Sequence, residues 1–98
     1  MTIDKKANGS ELTLTLGGRL DTMTAPQLEA EIKNSLDGVT DLTFDFAALD
    51  YISSAGLRVL LSAQKAMMRQ GSMVLHHVSD DIMEIFEVTG FTDILNIE

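Results

Sequence analysis

The segment DYISSAGLRVLL, residues 50–61, decides the fold, because an extended stretch changes into a helix within it. Two hydroxyls, those of Ser53 and Ser54, stand at this transition, and a flexible glycine, Gly56, follows them. The N-terminus of a helix presents unpaired backbone N–H groups and a partial positive charge. An anion is stable at such a place, including a phosphate esterified to a side chain. The segment therefore predicts a surface that a modification can switch, rather than a part of the core.

The apolar spacing on either side of this segment predicts three helices. Thr24 is a favourable N-cap for the first helix, with Gln27 at the capping-box position. The second helix extends over about residues 54–70 and is stopped by Gly71. Ser79 caps the third helix. The predicted apolar face of the second helix comprises Leu57, Leu60, Leu61, Met67 and Met68.

All three helices begin with the spacing of a hydrophobic staple, an apolar residue before the cap and another five positions later. The three pairs are Met23 with Leu28, Ile52 with Leu57, and Val78 with Met83. This pattern makes Ser53 the N-cap of the second helix, with its oxygen turned onto backbone N–H groups. Ser54 is then the first helical residue, and its hydroxyl is free to face outward.

Alternation of apolar and polar residues predicts the strands. A weak edge strand is followed by the hairpin signal Asn8-Gly9, and Gly17-Gly18 breaks or bulges the strand after it. Residues 93–97 form either a last short strand or a tail. The predicted strands cover about residues 2–7, 12–16, 42–46 and 73–78. A hairpin followed by strand–helix repeats predicts an α/β fold, with a mixed sheet of about four or five strands packed with helices.

Size and charge narrow the classes of function. A chain of 98 residues predicts one domain over residues 1–98, and the absence of cysteine leaves disulfides no part in its stability. The formal net charge of −8 disfavours nucleic acid, because a phosphate backbone is bound through clustered lysine and arginine. It suits a protein that meets a complementary protein surface. Without a signal peptide or an apolar run long enough to span a membrane, the chain is expected to be cytoplasmic.

Two separate blocks of the sequence resemble STAS domains, specifically bacterial anti-sigma factor antagonists. The first is the turn SSAGL, residues 53–57, placed after the strand LTFDF, residues 42–46. The second is the loop GRLDTMTA, residues 18–25, before the first helix. The resemblance extends over nearly the whole chain, in order and at the length of the family.

The resemblance implies a partner-switching regulator. In that family the unmodified antagonist binds an anti-sigma factor, often itself a serine kinase, and this releases the sigma factor. Phosphorylation of a serine at the start of the second helix dissociates the complex, and a serine phosphatase restores the binding form. The phosphoacceptor matches Ser54, and the loop acid near it matches Asp21. Many members have an aspartate where this chain has Ser53, so Ser53 is a minor alternative acceptor.

The expected partner-binding surface joins the two blocks and one exposed side of the second helix. Its residues are Asp21, Thr22, Met23, Ser53, Ser54, Gly56, Leu57 and Arg58. Asp21 could equally be an ordinary turn residue, and the staple explains Met23 as well as a partner contact does. Arg58, Lys65 and Arg69 form a positive strip that either faces acids on a partner or is an ordinary solvated face.

Other functions have less support in the sequence. His76 and His77 are neighbours in a predicted strand and should point to opposite faces, so no metal site is expected. The chain has no nucleophile elbow, no phosphate-binding loop with lysine and no cysteine nucleophile, so neither an enzyme nor a cofactor is expected. The alternative is a STAS accessory or scaffold subunit of a transport or sensory complex, which need not be phosphorylated.

Overall fold

An antiparallel hairpin opens the fold, in a computed structural model that describes all 98 residues. Its strands are β1 (Thr2–Asn8) and β2 (Glu11–Leu20), with Asn8 opposite Glu11. Gly9 occupies the turn with a φ of +61°, a conformation that glycine adopts without a steric penalty. The hairpin predicted from Asn8-Gly9 is confirmed, although the two turn residues are Gly9 and Ser10.

The remaining elements alternate between helix and strand. They are α1 (Ala25–Ser35), β3 (Asp41–Ile52), α2 (Ser54–Met68), β4 (Ser72–His76) and α3 (Asp80–Thr89). β3 pairs in parallel with both β2 and β4, so the sheet has four strands in the order β1-β2-β3-β4. This mixed sheet confirms the predicted α/β class.

The helices cover one face of the sheet. The inward positions of the strands alternate as predicted, and the buried apolar residues form one cluster of 23. The alternating strand residues of this cluster are Leu12, Leu14, Leu16, Leu42, Phe44, Phe46, Met73 and Leu75. The residues between them, such as Thr13 and Thr43, are only half-buried, because the opposite face of the sheet carries no helix.

β3 is longer than its alternating segment and contains two irregularities opposite β2. Thr15 pairs with Asp45 but Gly17 with Ala48, and the pairing shifts again between Gly18 and Arg19, each time by one extra residue of β3. The irregularity predicted at Gly17-Gly18 is therefore at the right place but on the wrong strand, because β2 is unbroken over Glu11–Leu20 and β3 bulges opposite it. Beyond Phe46 the buried residues of β3 therefore recur every third position, at Leu49 and Ile52. The shifts bring Ile52 opposite Leu20, so that β2 and β3 end side by side.

Several predicted features of α2 are wrong in detail. Met68 is 73% exposed, whereas Val59 and Ala63, absent from the predicted apolar face, are buried. α2 ends at Met68 rather than near residue 70. Gly71 does not end the helix with a left-handed turn; a Cβ there would collide with the carbonyl oxygen of Thr40. Close passage of two backbone segments therefore explains this glycine.

The C-terminal third also differs from the prediction. β4 ends at His76, short of the predicted limit near residue 78. The Ser79 side chain accepts a bond from the Ile82 N–H, which confirms the predicted cap. Residues 93–97, for which the sequence allows a short strand or a tail, do not form a strand: a 3₁₀ turn at Phe91–Asp93 is followed by a single bridge between Ile97 and Leu75. No helix combines the length and the apolar character that crossing a membrane requires.

Candidate functional site

Two loops leave the sheet next to one another at the ends of β2 and β3. The backbone N–H of Ser53 donates to the carbonyl oxygen of Leu20 at 2.9 Å, which joins the end of one strand to the end of the other. The loop that follows Leu20 contains Asp21, and the turn that follows Ile52 contains Ser54. The structure therefore brings together the two blocks that the sequence singled out, although they are separated by about thirty residues.

Ser54 is the first residue of α2 and is exposed. No side chain caps the helix, and its first turn contains no acid. The first N–H groups of a helix have no acceptor within the helix, so the positive end of α2 opens to the surface without a competing carboxylate from its own turn.

Ser53 does not cap α2 as predicted. Its backbone has the extended geometry of an N-cap, with φ −103° and ψ 177°, but its side chain accepts no bond from the helix. The Ser53 Oγ atom is instead buried and has no hydrogen-bond partner. The prediction was correct about the position of the residue and wrong about the direction of its hydroxyl.

Gly56 and Leu57 lie in the first turn of α2 and face the core. Both are buried, Leu57 with 7% of its surface exposed. A Cβ at Gly56 would lie 2.6 Å from Leu20 Cγ and 2.8 Å from Ile52 Cγ1. This glycine is therefore needed for close packing of α2 on the two strand ends, not for the flexibility that the sequence suggested.

Asp21 organises its own loop. Its Oδ1 atom accepts bonds from the backbone N–H groups of Met23 at 3.0 Å and Thr24 at 3.2 Å, and its Oδ2 atom lies 3.6 Å from Arg19 Nε. Burial acts to raise the pKa of Asp21, but these backbone donors, with the Thr24 hydroxyl and Arg19, outweigh it and the pKa lies below its usual value. Asp21 is thus an ionised residue whose charge is largely engaged within the loop.

The start of α1 also departs from the prediction. Thr24 occupies the N-cap position but makes no capping bond, because its hydroxyl accepts from the Asp21 N–H and donates to the Arg19 carbonyl oxygen. The Asp21 carbonyl oxygen takes the N–H of Ala25 instead. Met23 is 87% exposed, so it does not form the predicted staple with Leu28. Its apolar side chain is available to a partner.

A hollow separates the Asp21 loop and α1 from α2. Its volume is about 370 Å³, and its walls include Thr22 and Glu29 on one side and Ala55 and Arg58 on the other. Two of the predicted partner-binding residues, Thr22 and Arg58, therefore line the same hollow. This hollow continues between α1 and α2 into a second hollow of about 240 Å³, and Glu29 lines both.

Arg19 and Tyr51 belong to this region and were missed from the sequence. The Arg19 guanidinium carbon lies 4.2 Å from the centre of the Tyr51 ring, a cation–π contact between paired residues of β2 and β3. Tyr51 remains 38% exposed. Only the register of the two parallel strands reveals the contact, and that register depends on the irregularities in β3.

The predicted positive strip is present on the surface of α2. Arg58, Lys65 and Arg69 are exposed, and none of them forms an ion pair with a carboxylate. The residues of α2, Ser54–Met68, include no aspartate or glutamate. The strip is thus an unneutralised region on a chain with a net charge of −8.

His76 and His77 are not directed to opposite faces, because β4 ends at His76 and His77 has a left-handed φ of +60°. Their ring centres are 6.0 Å apart. His76 pairs with Glu98 at 3.4 Å, and His77 Nδ1 lies 3.0 Å from Asp45 Oδ1. No group of three or more potential ligands is arranged to hold a metal ion.

Comparison with known proteins identifies the family. The family model described as "Mlab, STAS domain" matches residues 3–96. The chain belongs to the STAS domain family. It is 40% identical over 88 residues to a candidate anti-sigma factor antagonist of Bordetella bronchiseptica, BtrV, across 88% of this chain and 76% of that protein. It is 28% identical over 98 residues to the anti-sigma-B factor antagonist of Bacillus subtilis, across 99% of this chain and 90% of the relative.

Several solved structures share the fold. The unphosphorylated form of the anti-sigma factor antagonist SpoIIAA superposes with a TM-score of 0.78 at 18% identity, covering 99% of this chain and 87% of that one. The phosphorylated form of SpoIIAA, from Bacillus, gives 0.77 at 19% identity, with coverage of 99% and 91%. A sulfate transporter family protein from Wolinella succinogenes gives 0.78 at 17% identity, with coverage of 94% and 76%.

Proposed function

We propose that this STAS domain is an anti-sigma factor antagonist that acts by partner switching in the cytoplasm. The unmodified chain binds an anti-sigma factor that is also a serine kinase. The kinase transfers the γ-phosphoryl group of ATP to Ser54: the bond to ADP breaks, the Oγ–P bond forms and the hydroxyl proton is released. The modified chain then leaves its partner, and a serine phosphatase hydrolyses the phosphoserine. The proposal gives the chain itself no catalytic step.

The observation that carries this proposal is the contrast between two neighbouring serines. Ser54 is exposed at the uncapped start of α2, whereas the Ser53 Oγ atom is buried. A kinase must reach the hydroxyl that it modifies, so the contrast favours Ser54 as acceptor over Ser53. The names of the relatives, which describe antagonists of anti-sigma factors, support the role of antagonist.

The proposed partner-binding surface consists of the predicted residues whose side chains are exposed. Met23 is exposed in the loop after β2 and Arg58 on α2, and Thr22 and Arg58 line the same hollow. Exposed side chains around a modifiable hydroxyl supply both apolar area and charge to a docked protein. Asp21 contributes by holding the loop, since its oxygens are already bonded within it.

The sizes of two electrostatic free energies explain how one phosphate can release a partner without unfolding the domain. At an exposed helix N-terminus the phosphate gains about 0.3–1 kcal/mol from the helix dipole. In a docked interface it brings nearly two negative charges, and like-charge juxtaposition there costs several kcal/mol. Because each ~1.4 kcal/mol is a tenfold change in affinity, the loss of binding is large while the fold tolerates the group.

Incubation with the cognate anti-sigma kinase and ATP, followed by intact-mass measurement, tests the proposal. The wild-type chain and Ser53→Ala should each gain the mass of one phosphate, and Ser54→Ala should gain none. Ser54→Asp should remain folded by circular dichroism and lose binding to the kinase. A folded Ser54→Asp variant that binds as tightly as the wild type would refute the switch.

The second candidate is an accessory or scaffold subunit of a transport or sensory complex. Its support is the structural likeness to a sulfate transporter family protein, whose TM-score of 0.78 equals that of unphosphorylated SpoIIAA. In that role binding to the partner would be insensitive to Ser54→Asp, and no kinase would add phosphate. The same two measurements therefore separate the candidates.

A further inference from the structure

Arg58 stands one helical turn after Ser54 on the exposed side of α2. Residues four apart on a helix are neighbours, with Cβ atoms about 5–6 Å apart. A long arginine side chain at this position reaches the space above the first turn, where a group attached to Ser54 Oγ would project. The spacing places a flexible cation beside the proposed modification site.

The guanidinium group of Arg58 has no ionic partner in the unmodified chain. Two carboxylates, Glu29 in the wall of the hollow and Asp21 in the loop next to it, are engaged elsewhere. Asp21 is bonded within its loop and paired with Arg19, and Glu29 pairs with Lys33 at 3.1 Å on its own helix. Because α2 itself contains no acid, Arg58 has no carboxylate partner on its own helix, and its five N–H donors are not used in an ion pair.

There is also room for Arg58 to move toward Ser54. It lines the hollow of about 370 Å³ together with Thr22 and Ala55, the residue directly after Ser54. An exposed arginine beside a hollow loses little packing when it changes rotamer. The phosphate would therefore find its counter-ion without displacing any other interaction.

We propose that Arg58 is the internal counter-ion of a phosphate on Ser54, and that the modification withdraws this arginine from the partner. The inference rests on the proposed function, since it requires a phosphate at Ser54. It adds a second component to the switch: the partner meets new negative charge and also loses a cation that the unmodified chain offers. Charge-assisted bonds between guanidinium and phosphate are among the stronger ones in proteins, which suits arginine to this role.

The second ionisation of the phosphate tests the proposal directly. Phosphoserine is inserted at position 54 during translation, and the ³¹P resonance is titrated by NMR in the wild-type, Arg58→Gln and Arg58→Lys chains. Phosphoserine ionises near pH 6, and a nearby cation favours the dianion. A pair of ordinary i,i+4 strength lowers the pKa of the phosphate by about 0.2–0.4 unit relative to Arg58→Gln, roughly a twofold change in the ionisation constant.

Matched variants make the result specific. Lys65→Gln removes an equal charge from the same exposed side of α2, at about 16 Å along the helix from Ser54, and should leave the titration unchanged at 0.15 M salt. Arg58→Lys should retain part of the shift because it keeps the charge. A phosphate pKa in Arg58→Gln within about 0.1 unit of the wild-type value would overturn the proposal, as would an equal shift in Lys65→Gln.

Failure of this experiment is distinct from failure of the proposed function. The phosphoserine is installed without a kinase, so the absence of a kinase reaction would refute the function and leave the titration interpretable. Conversely, an unshifted phosphate would refute the role of Arg58 and leave phosphorylation of Ser54 standing.

Discussion

Replacement of Ser53 by alanine should not destabilise the domain, although the residue stands at a helix N-cap. An N-cap serine normally contributes about 0.5–2 kcal/mol, because its oxygen accepts a bond from an N–H of the first turn. The Ser53 Oγ atom makes no such bond, and it is buried without a partner. A buried hydroxyl left unsatisfied costs about 1–3 kcal/mol, so its removal relieves a penalty and loses no bond.

Ser79 supplies the matched control within the same protein. Its side chain accepts a bond from the Ile82 N–H at 3.3 Å, so it caps α3. Ser79→Ala should therefore lower the free energy of unfolding by about 1 kcal/mol. Ser53→Ala should leave it unchanged or raise it by up to about 1 kcal/mol, since part of the relieved penalty is offset by lost packing contacts.

Equilibrium urea unfolding followed by circular dichroism measures both variants. The denaturant dependence should stay constant, so that shifts of the midpoint report stability alone. A difference of 1–2 kcal/mol between the two variants corresponds to a separation of several degrees or more in Tm for a domain of this size. A loss in Ser53→Ala equal to that in Ser79→Ala would show that the Ser53 hydroxyl caps α2, and would contradict the burial of its Oγ atom without a partner.

Two further substitutions test the packing and the electrostatics. Gly56→Ala should destabilise the domain by about 1–2 kcal/mol in urea unfolding, because overpacking against Leu20 and Ile52 exceeds the gain of up to ~1 kcal/mol in helix propensity. A variant more stable than the wild type would contradict the close packing. A hydrogen bond from the Ala47 N–H holds the pKa of Asp45 below its usual value. Partial burial acts to raise this pKa, but the His77 ring adds to the lowering. The stabilisation from Asp45 is therefore complete above the unfolded-state pKa of about 3.9 and declines as the pH falls through the lower folded-state value, so the stability difference between the wild type and Asp45→Asn should shrink on acidification.

Local patterns in the sequence were sufficient for most of the secondary structure. Alternating leucines in residues 12–16 and aromatic residues in 42–46 required strands with one buried face, and the cap at Ser79 is a short-range interaction. The hairpin and the helix starts were found for the same reason. Each of these features depends on residues within one turn or one strand of each other, which the sequence presents directly.

Features that depend on contacts between distant segments were missed. The length of β3 and the Arg19–Tyr51 contact follow from a parallel register that shifts at two irregularities. Thr24 was assigned to a cap because its neighbours permit one, but Asp21 and Arg19 take its hydroxyl bonds. The exposure of Met23 likewise depends on how the whole loop is held.

The amino-acid order by itself determined that an exposed serine would stand at the start of α2, since strand pattern, hydroxyl and helical spacing meet there. Only the tertiary structure decided which of two adjacent serines faces water, which acids are already engaged, and that Arg58 is left without a partner. The reason is physical: propensity and capping act within a few residues, whereas burial and pairing are set by segments that meet only when the sheet forms.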